Sequence, residues 1–452
     1  MQGDGNRMAM TPAKPPAAVP VAQQAGDVRS RWGWAEAAVW TERMLAALET
    51  GVKGGRWFRL IDKVYSSRNL AAGFARVRAN GGAAGVDHVS VERFAEHLDT
   101  HLEKLAGALR QGSYQPQAVR RVYIPKPDGT QRPLGIPTVR DRVVQAALRQ
   151  VLEPICERDF AEHSYGFRPG RRCRDALRRV DQLLKAGHWY VVDADLKSYF
   201  DTIPHQRLME RVRGKVADGP VLHLLEQFLR QGVMDGLQEW APEKGTPQGA
   251  VISPLLANIY LDPLDHLVAE HGLALVRYAD DFVILCRTPE EAQRGLRLVQ
   301  QWTAENGLTL HPTKTRIVDI RQAGFDFLGY HFQTTQSGIN HWPRKKSLDK
   351  LKDTLRDKTK RTDGRSLPCI IADVNRVLRG WFGYFQHSLK TTYAPLDSWL
   401  RMRLRSILRK RHRRRGRGRG ADHQRWTNAY FAEQGLYSLV AAHRLACQSP
   451  CG

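Results

Sequence analysis

The segment Arg277–Leu285 has the sequence Arg-Tyr-Ala-Asp-Asp-Phe-Val-Ile-Leu, and its pattern is the strongest indication of the fold. Two adjacent aspartates interrupt a run of apolar, β-branched residues. This pattern predicts two strands over 275–285 joined by a tight turn that carries both carboxylates. Because a buried carboxylate is costly unless a partner or a metal ion neutralises it, the turn is a candidate cation site. A solvated acidic turn is the alternative, and this segment alone leaves both open.

A second acidic segment lies upstream, where Trp189–Asp195 predicts a strand ending in Asp193-Ala194-Asp195. Residues two apart in a strand face the same side, so Asp193 and Asp195 share one face. A strand-end carboxylate and an Asp-Asp turn can together hold two Mg²⁺ ions about 4 Å apart. Mg²⁺ favours such oxygen ligands and completes its shell with substrate phosphates. The two segments therefore predict a site for nucleotidyl transfer.

The remaining pattern mixes hairpins with helices and indicates an α+β fold. Residues 119–136 predict a hairpin around Pro127-Asp128-Gly129. Helical periodicity covers 141–155, ending near Pro154, as well as 347–360 and 370–385.

The chain has 452 residues, with 70 Lys and Arg against 46 Asp and Glu, and a net charge of +24. This excess predicts a polyanionic partner, either nucleic acid or an anionic membrane surface. Residues 401–419 contribute eleven of the basic residues and no acidic one, yet the rest of the chain is also cationic. No apolar run reaches 18 residues, and neither a secretory signal nor zinc-type cysteine pairs are present. We therefore expect a protein of the reducing cytoplasm.

Tyr278-Ala279-Asp280-Asp281 resembles the YxDD box of reverse transcriptases. Six further segments resemble other blocks of that family in the family's order, namely Gly85–Asp87, Ile124–Pro137, Ser164–Arg171, Gly245–Pro254, Gly307–Thr315 and Phe327–Tyr330. Leu378–Phe385 resembles the maturase (X, or thumb) domain of group II intron proteins, and Trp426–Leu439 resembles their C-terminal tail. The chain is thus similar to bacterial group II intron reverse transcriptases.

The resemblance implies a right-hand polymerase with fingers and a palm built on an antiparallel sheet, followed by an α-helical thumb. The expected divisions are a flexible leader (1–30), an N-terminal extension with fingers (31–185), the palm (186–335), the thumb or maturase domain (336–400) and a basic nucleic-acid-binding tail (401–452). The family's HNH endonuclease domain needs more chain and cysteine pairs, so we expect no DNA cleavage and a primer made elsewhere.

The resemblance also implies roles for individual residues. Asp195, Asp280 and Asp281 are the expected catalytic carboxylates and ligands of two Mg²⁺ ions, with Mn²⁺ as a possible substitute. Asp195 is preferred to Asp193 because Tyr199-Phe200 follows it at the family spacing, although both could reach one face. The expected nucleotide-binding residues are Lys126, Arg132, Phe200, Gln248 and Gly249, where Phe200 would exclude a ribose 2′-hydroxyl. The expected nucleic-acid-binding residues are Lys314, Arg401, Arg405, Arg409, Arg413, Arg414 and Arg415.

The implied function is that of a group II intron RNA-directed DNA polymerase that copies intron RNA to cDNA during retrohoming and assists splicing as a maturase. Its partners would be intron RNA, an RNA template with a DNA primer, target DNA and dNTPs, but no membrane. It would act in the bacterial cytoplasm at the nucleoid. Three alternatives compete: a domesticated relative serving defence or diversification, a maturase with a vestigial polymerase, and a basic RNA-binding scaffold without catalysis.

Overall fold

The computed structural model describes residues 28–125, 129, 131–236, 238–414 and 420–448. The predicted roles of Lys126 and Arg415, and nearly all of the predicted leader, lie outside these residues. No described helix is both long and apolar enough to cross a lipid bilayer.

Helices make up most of the described chain. The region expected to form the N-terminal extension and fingers contains the helices α1 (Val28–Trp32), α2 (Glu42–Thr50), α3 (Ile61–Val64), α4 (Ser67–Asn80), α5 (Val91–Glu96), α6 (Leu98–Gln111), α7 (Val139–Glu157) and α8 (Cys173–Lys185). The region expected to form the palm contains α9 (Tyr199–Thr202), α10 (His205–Lys215), α11 (Gly219–Leu229), α12 (Ser253–Glu270) and α13 (Pro289–Glu305). The C-terminal helices are α14 (Lys345–Lys358), α15 (Leu367–Phe385), α16 (Tyr393–Arg411), α17 (Ala421–Arg425), α18 (Asn428–Glu433) and α19 (Leu439–Gln448).

The strands form three small sheets. They are β1 (Val119–Pro125), β2 (Gln131–Ile136), β3 (Tyr190–Asp195), β4 (Val233–Asp235), β5 (Gln238–Trp240), β6 (Ala274–Tyr278), β7 (Asp281–Cys286), β8 (Arg316–Asp319), β9 (Phe325–Phe327), β10 (Tyr330–Thr335) and β11 (Gly338–Pro343). The fingers sheet has the order β2-β1-β4-β5, the palm sheet β6-β7-β3-β8, and the third sheet β11-β10-β9. The mixture confirms the predicted α+β class.

The palm sheet is antiparallel and has apolar side chains on both faces. Val192, Ala194 and Phe282 belong to the large core shared with the fingers helices. Val191 and Val283 belong to a second core on the opposite face, which the alternation of side chains along each strand explains. Asp193, Asp195 and Asp281 lie on this second face, by the same alternation.

The C-terminal helices have a core of their own, in which Leu355 of α14, Leu378 of α15 and Leu404 of α16 pack together. Phe385, at the end of α15, instead joins the second palm core. The C-terminal helical region is therefore built as a separate layer whose α15 terminus is anchored on the palm.

The predicted hairpins over 119–136 and 275–285 are confirmed. The helix expected to end near Pro154 continues to Glu157, which corrects that boundary. Pro154 has no N–H to donate to the carbonyl of Gln150. The indole Nε1 of Trp40 donates to this carbonyl at 2.9 Å, so the proline leaves no acceptor unsatisfied and the helix can continue.

Candidate active site

The centre of the site is a pair of aspartates on neighbouring strands. Asp195 ends β3 and Asp281 begins β7, and the two residues are directly opposite in the antiparallel register. Directly opposed residues have Cβ atoms about 5 Å apart on the same face. Asp193 lies two residues back on that face, opposite Val283. The predicted convergence of the two acidic segments is therefore observed.

Asp280 lies in the turn between β6 and β7, next to Ala279, whose φ is +61°. A non-glycine residue in the left-handed region costs roughly 1 kcal/mol, so surrounding contacts must hold it there. The guanidinium of Arg277 supplies one such contact by donating from Nη1 to the Ala279 carbonyl at 2.9 Å. The conformation that presents Asp280 thus depends on a residue three positions earlier.

Arg277 is fully buried and has a second set of partners on α12. Its Nε donates to both carboxylate oxygens of Asp265, at 2.7 and 3.0 Å, and its Nη1 donates to Oδ1 of Asn258 at 3.0 Å. The fork geometry of a guanidinium suits this paired carboxylate and carbonyl arrangement. No role was predicted for Arg277 from the sequence, although a charged residue inside an apolar strand is a signal that could have identified it.

The segment Ser164–Arg171 packs against the same turn. A Cβ on Gly166 would lie 2.2 Å from the backbone nitrogen of Ala279, so only glycine fits there. The Gly166 carbonyl accepts from Nδ2 of Asn258 at 2.8 Å, and the Tyr165 amide donates to the Arg277 carbonyl at 2.8 Å. This block, predicted only as a family motif, therefore supports the catalytic turn.

Crowding of carboxylates perturbs their protonation. Burial, together with Asp193, Asp280 and Asp195, raises the pKa of Asp281 to about 7. Burial also raises the pKa of Asp193 to about 6, although Arg316 opposes this shift from 3.5 Å. The pKa of Asp280 is raised as well, mainly by burial. Such a group of carboxylates is poised to gain from a nearby cation.

Lys314, predicted to bind nucleic acid, lies at this centre. Its Nζ is 2.6 Å from Oδ2 of Asp195. Lys314 follows the palm helix α13 by nine residues and is 119 positions from its partner. The tertiary structure thus places this lysine on a candidate catalytic carboxylate.

The donor set fits a hard divalent cation in kind, since it consists of carboxylate oxygens. Within the described ranges, however, no group of three or more His, Cys, Asp or Glu side chains already converges as a metal site. Asp195 forms an ion pair with the ammonium group of Lys314. Asp195, Asp280 and Asp281 are the residues that could hold divalent ions, and a bound cation would lower the pKa values of Asp280 and Asp281, which burial raises.

The predicted nucleotide-binding residues on the described chain lie together beside the carboxylates. Arg132 on β2 donates from Nε to Oε1 of Gln248 at 2.7 Å, and Nε2 of Gln248 donates to Oδ2 of Asp201 at 3.0 Å. Arg132 also lowers the pKa of Asp280 against the larger effect of burial. Gly249 has a φ of +107°, and a Cβ there would lie 2.5 Å from the carbonyl oxygen of Gly135. Glycine is therefore required for this contact with the fingers hairpin.

Phe200, the predicted 2′-hydroxyl filter, is half-buried on α9. Its ring forms edge contacts with Tyr199 and with Phe167, at centroid distances of 5.5 and 6.4 Å. Phe167 is 43% exposed, and no role was predicted for it from the sequence. Its position after Gly166, which the catalytic turn requires, is the signal that could have identified it.

The arginines predicted to bind nucleic acid fall into two groups. Arg413 and Arg414 are exposed beyond the end of α16. Arg405 is only 4% exposed, and it donates to the Trp426 carbonyl at 2.8 Å and to Oδ1 of Asn428 at 3.0 Å. The prediction for Arg405 is corrected, because its guanidinium links α16 to the following segment and faces away from solvent.

Arg401 and Arg409, one turn before and after Arg405, are half-buried. Arg409 pairs with the buried Asp422 of α17. The basic face predicted for this helix is thus partly used for internal contacts. Leu404 and Leu408, which lie on either side of Arg405 in the sequence, are buried. This apolar pair is the sequence signal that could have distinguished the buried Arg405 from the exposed arginines.

Comparison with known proteins gives two family matches in tandem. Residues 124–332 match the family described as reverse transcriptase (RNA-dependent DNA polymerase), and residues 348–426 match the group II intron, maturase-specific domain. Protein YkfC of Escherichia coli is 35% identical over an alignment of 328 positions that covers 63% of this chain and 84% of YkfC. The group II intron-encoded protein LtrA of Lactococcus lactis is 38% identical over 220 residues, which are 48% of this chain and 35% of LtrA.

A solved structure titled partial Cas6-RT-Cas1–Cas2 complex aligns at 26% identity with a TM-score of 0.36, covering 54% of this chain and 41% of that chain. The chain therefore spans most of YkfC, but about a third of LtrA and less than half of the aligned chain in that complex.

Proposed function

The chain belongs to the reverse transcriptases that carry a group II intron maturase domain, and on that premise we propose that it copies group II intron RNA into cDNA during retrohoming and assists splicing of that RNA. The observation that carries the proposal is the register of β3 and β7, which brings Asp195 opposite Asp281 beside the Asp280 turn. A scaffold that only bound RNA would have no use for these crowded carboxylates, whose burial costs free energy.

Asp195, Asp280 and Asp281 would hold two Mg²⁺ ions, or Mn²⁺ as a substitute. When bound, the ions supply Lewis-acid chemistry for nucleotidyl transfer from a dNTP to a primer 3′-hydroxyl. Arg132, with Lys126, would bind the triphosphate and offset the charge that develops on the leaving group.

The other residues of the site would fix geometry and select the substrate. Gln248 and Gly249 would lie beside the nucleotide and template, where the glycine permits close backbone approach. Phe200, braced by Phe167, would clash with a ribose 2′-hydroxyl and so select dNTPs over NTPs. The proposed partners are intron RNA, an RNA template with a DNA primer, target DNA and dNTPs, in the bacterial cytoplasm at the nucleoid.

We propose that the exposed arginines Arg413 and Arg414 contact RNA phosphates, together with Arg401, Arg409 and Arg415. Phosphate contacts of this kind release counterions and weaken with salt. We propose a domain division near residue 185, between α8 and β3, whereas the divisions expected at residues 30, 335 and 400 fall inside α1, the β10–β11 hairpin and α16.

Primer extension on an RNA template with Mg²⁺ and dNTPs tests the proposal. The wild-type protein should make cDNA, and Asp280→Ala should lower the rate at least 10³-fold, which corresponds to about 4 kcal/mol of transition-state stabilisation. RNA affinity, measured by fluorescence anisotropy, should stay within about threefold.

Asp319→Asn is the matched control, because it removes one negative charge from the same sheet. Asp319 pairs with Arg321 at the end of β8, outside the site. This variant should retain cDNA synthesis. A wild-type protein that accelerates intron splicing but makes no cDNA would instead establish the binding-only maturase.

A further inference from the structure

A polar cavity of about 660 Å³ lies where helix α10 meets the end of α13. Its lining includes Arg207 and Arg211 from successive turns of α10, and Asn306, the residue that follows α13. Side chains four positions apart on a helix are neighbours on one face, so the two guanidinium groups belong to the same surface. None of the residues proposed for catalysis or RNA binding lines this cavity.

The Arg211 guanidinium is ordered by the protein alone. It lies over the Tyr260 ring, 3.9 Å from the centroid, and beside the Trp302 ring at 5.3 Å. Its Nη2 donates to Oδ1 of Asn306 at 2.7 Å. Asn306 is fixed in turn, because its Nδ2 donates to the Trp302 carbonyl at 2.8 Å. A charged group that packing already orders loses little conformational freedom when it binds a ligand.

Both arginines hydrogen-bond only neutral acceptors within the described residues. Arg211 bonds the Asn306 amide, and Arg207 donates to the Glu305 carbonyl at the end of α13. Nη1 of Arg211 is buried without a hydrogen-bond acceptor in the described chain, and burial lowers the pKa of this side chain. The positive charge of Arg211 is therefore only partly compensated, and an anion in the cavity would stabilise it.

The lining has an excess of positive charge. Among the residues that line the described cavity, Glu210 is the acidic one, against Arg207 and Arg211. Its Oε1 accepts from Nε2 of Gln206 at 3.3 Å, and no ion pair joins it to either arginine in the described chain. The cavity thus suits an anion better than a neutral or cationic ligand.

Helix capping accounts for one arginine but not for the pair. Basic side chains near the end of a helix bond its last carbonyls, and Arg207 does this to α13. Arg211 instead bonds the side chain of Asn306 and lies against two aromatic rings. A cap does not require a second guanidinium ordered in this way beside an open cavity.

The cavity lies on the other side of the palm sheet from the catalytic carboxylates. Helix α10 buries Leu208 in the large core, which also contains Val192 and Ala194 of β3. Asp195 and Asp281 lie on the opposite face of that sheet. A ligand held by α10 is therefore separate from the template and primer that the carboxylates would contact.

We propose that Arg207 and Arg211 bind a backbone phosphate of folded RNA on the α10 side of the palm. The proposal rests on the RNA binding in the proposed function and assigns to it a contact separate from the template–primer. The fork of a guanidinium matches two oxygens of a phosphate. The cationic excess of the chain outside residues 401–419 favours a polymer over a free anion, because a polymer contacts several cations at once.

Arg207→Gln tests the proposal, and Arg213→Gln is its matched control. Both arginines are exposed on α10, and both variants remove one positive charge. Arg213 pairs with Glu226 of α11 and does not line the cavity. Each variant loses one exposed contact, so both should lower the melting temperature by similar small amounts.

The measurement is the affinity for a fluorescently labelled RNA stem-loop, by anisotropy over a range of salt concentrations, with the active site filled by an unlabelled RNA–DNA hybrid. Arg207→Gln should weaken stem-loop binding about fivefold relative to Arg213→Gln and reduce the slope of log affinity against log salt by about 1, since one phosphate contact is lost. Affinity for the hybrid itself, measured separately, should fall by less than twofold.

Two further variants on the same helix sharpen the test. Arg211→Lys keeps the charge but loses the fork and the ring contacts, so it should weaken stem-loop binding while leaving the salt slope unchanged. Glu210→Gln removes the acidic side chain from the lining and should tighten stem-loop binding about twofold. A gain of affinity cannot come from misfolding, so Glu210→Gln keeps the test independent of any loss of stability.

Inorganic phosphate, added at constant ionic strength, distinguishes a polymer phosphate from a free one. It should leave stem-loop binding by the wild-type protein unchanged. Displacement of the stem-loop by phosphate from the wild type, but not from Arg207→Gln, would show that the cavity takes free phosphate and would overturn the assignment to RNA.

Equal stem-loop affinity in Arg207→Gln and Arg213→Gln would overturn the inference alone, provided that the wild-type protein binds the stem-loop. An equal loss of affinity for the hybrid in Arg207→Gln would also overturn it, because the cavity would then serve the template–primer. A wild-type protein that does not bind the stem-loop at all overturns the RNA binding of the proposed function and this inference together.

Discussion

Replacing Arg277 with methionine should destabilise the palm and impair catalysis together. Both side chains of the Arg277–Asp265 pair are completely inaccessible to solvent, and their closest atoms are 2.5 Å apart. Methionine preserves much of the volume but removes the charge and every donor. Asp265 is then left in the core without its cation, and the carbonyl oxygens of Asn258 and Ala279 each lose a donor.

The magnitude follows from these orphaned groups. Removing one partner of a buried ion pair costs about 3–5 kcal/mol, because the remaining charge is uncompensated. The fingers and palm share one core, so they form a cooperative unit of roughly 300 residues, for which this loss corresponds to about 5–8 °C in melting temperature. Catalysis should fall further than stability alone explains, because the Ala279 carbonyl no longer fixes the turn that presents Asp280.

The assay combines thermal unfolding by circular dichroism with single-turnover primer extension below the melting transition. Arg277→Lys is the conservative comparison, since it retains the charge but loses the fork that bonds Asp265, Asn258 and Ala279 at once. It should recover part of the stability and less of the rate. A loss below about 1 kcal/mol in Arg277→Met, or a full recovery of rate in Arg277→Lys, would refute this account of the turn.

Two further predictions concern titration and RNA binding. Burial and neighbouring carboxylates raise the pKa of Asp281 to about 7. The metal-free folded state therefore binds more protons than the unfolded state between about pH 4 and 7. The contribution of Asp281 to the free energy of unfolding declines as pH rises through that window. Melting curves should therefore show Asp281→Asn more stable than the wild type at pH 8 without Mg²⁺ and equal to it at pH 5; a stabilisation of equal size at both values would contradict the assignment. Joint replacement of Arg413 and Arg414 by glutamine should reduce the slope of log affinity for RNA against log salt by about 1–2 without changing the melting temperature. Arg405→Gln should lower the melting temperature without changing the salt slope, since the Arg405 guanidinium bonds the Trp426 carbonyl in the interior. A reduced salt slope in that variant would show that Arg405 contacts RNA.

Some features of the site and fold could be predicted from neighbouring residues in the sequence, and others depend on residues far away in the chain. The Asp-Asp hairpin and the strand ending at Asp195 were predictable because strand alternation and turn chemistry act over a few residues, and both were found where expected. The continuation of α7 past Pro154 was not predictable, since it depends on Trp40, which lies 110 residues from the carbonyl that it satisfies. The basic segment near Arg405 was predicted by composition, which does not distinguish a guanidinium in solvent from one bonded in the interior.

The sequence by itself determined the class of chemistry: the ordered motifs, the carboxylates on one strand face, and the cationic body that suits nucleic acid. The tertiary structure decided which side chains support those carboxylates. Lys314 meets Asp195 across 119 residues, and Asn258, a partner of Arg277, donates to the Gly166 carbonyl across 92. The physical reason is that backbone periodicity fixes the face on which a side chain lies, whereas its hydrogen-bond partner is fixed only when separate elements pack and every buried polar group must be satisfied.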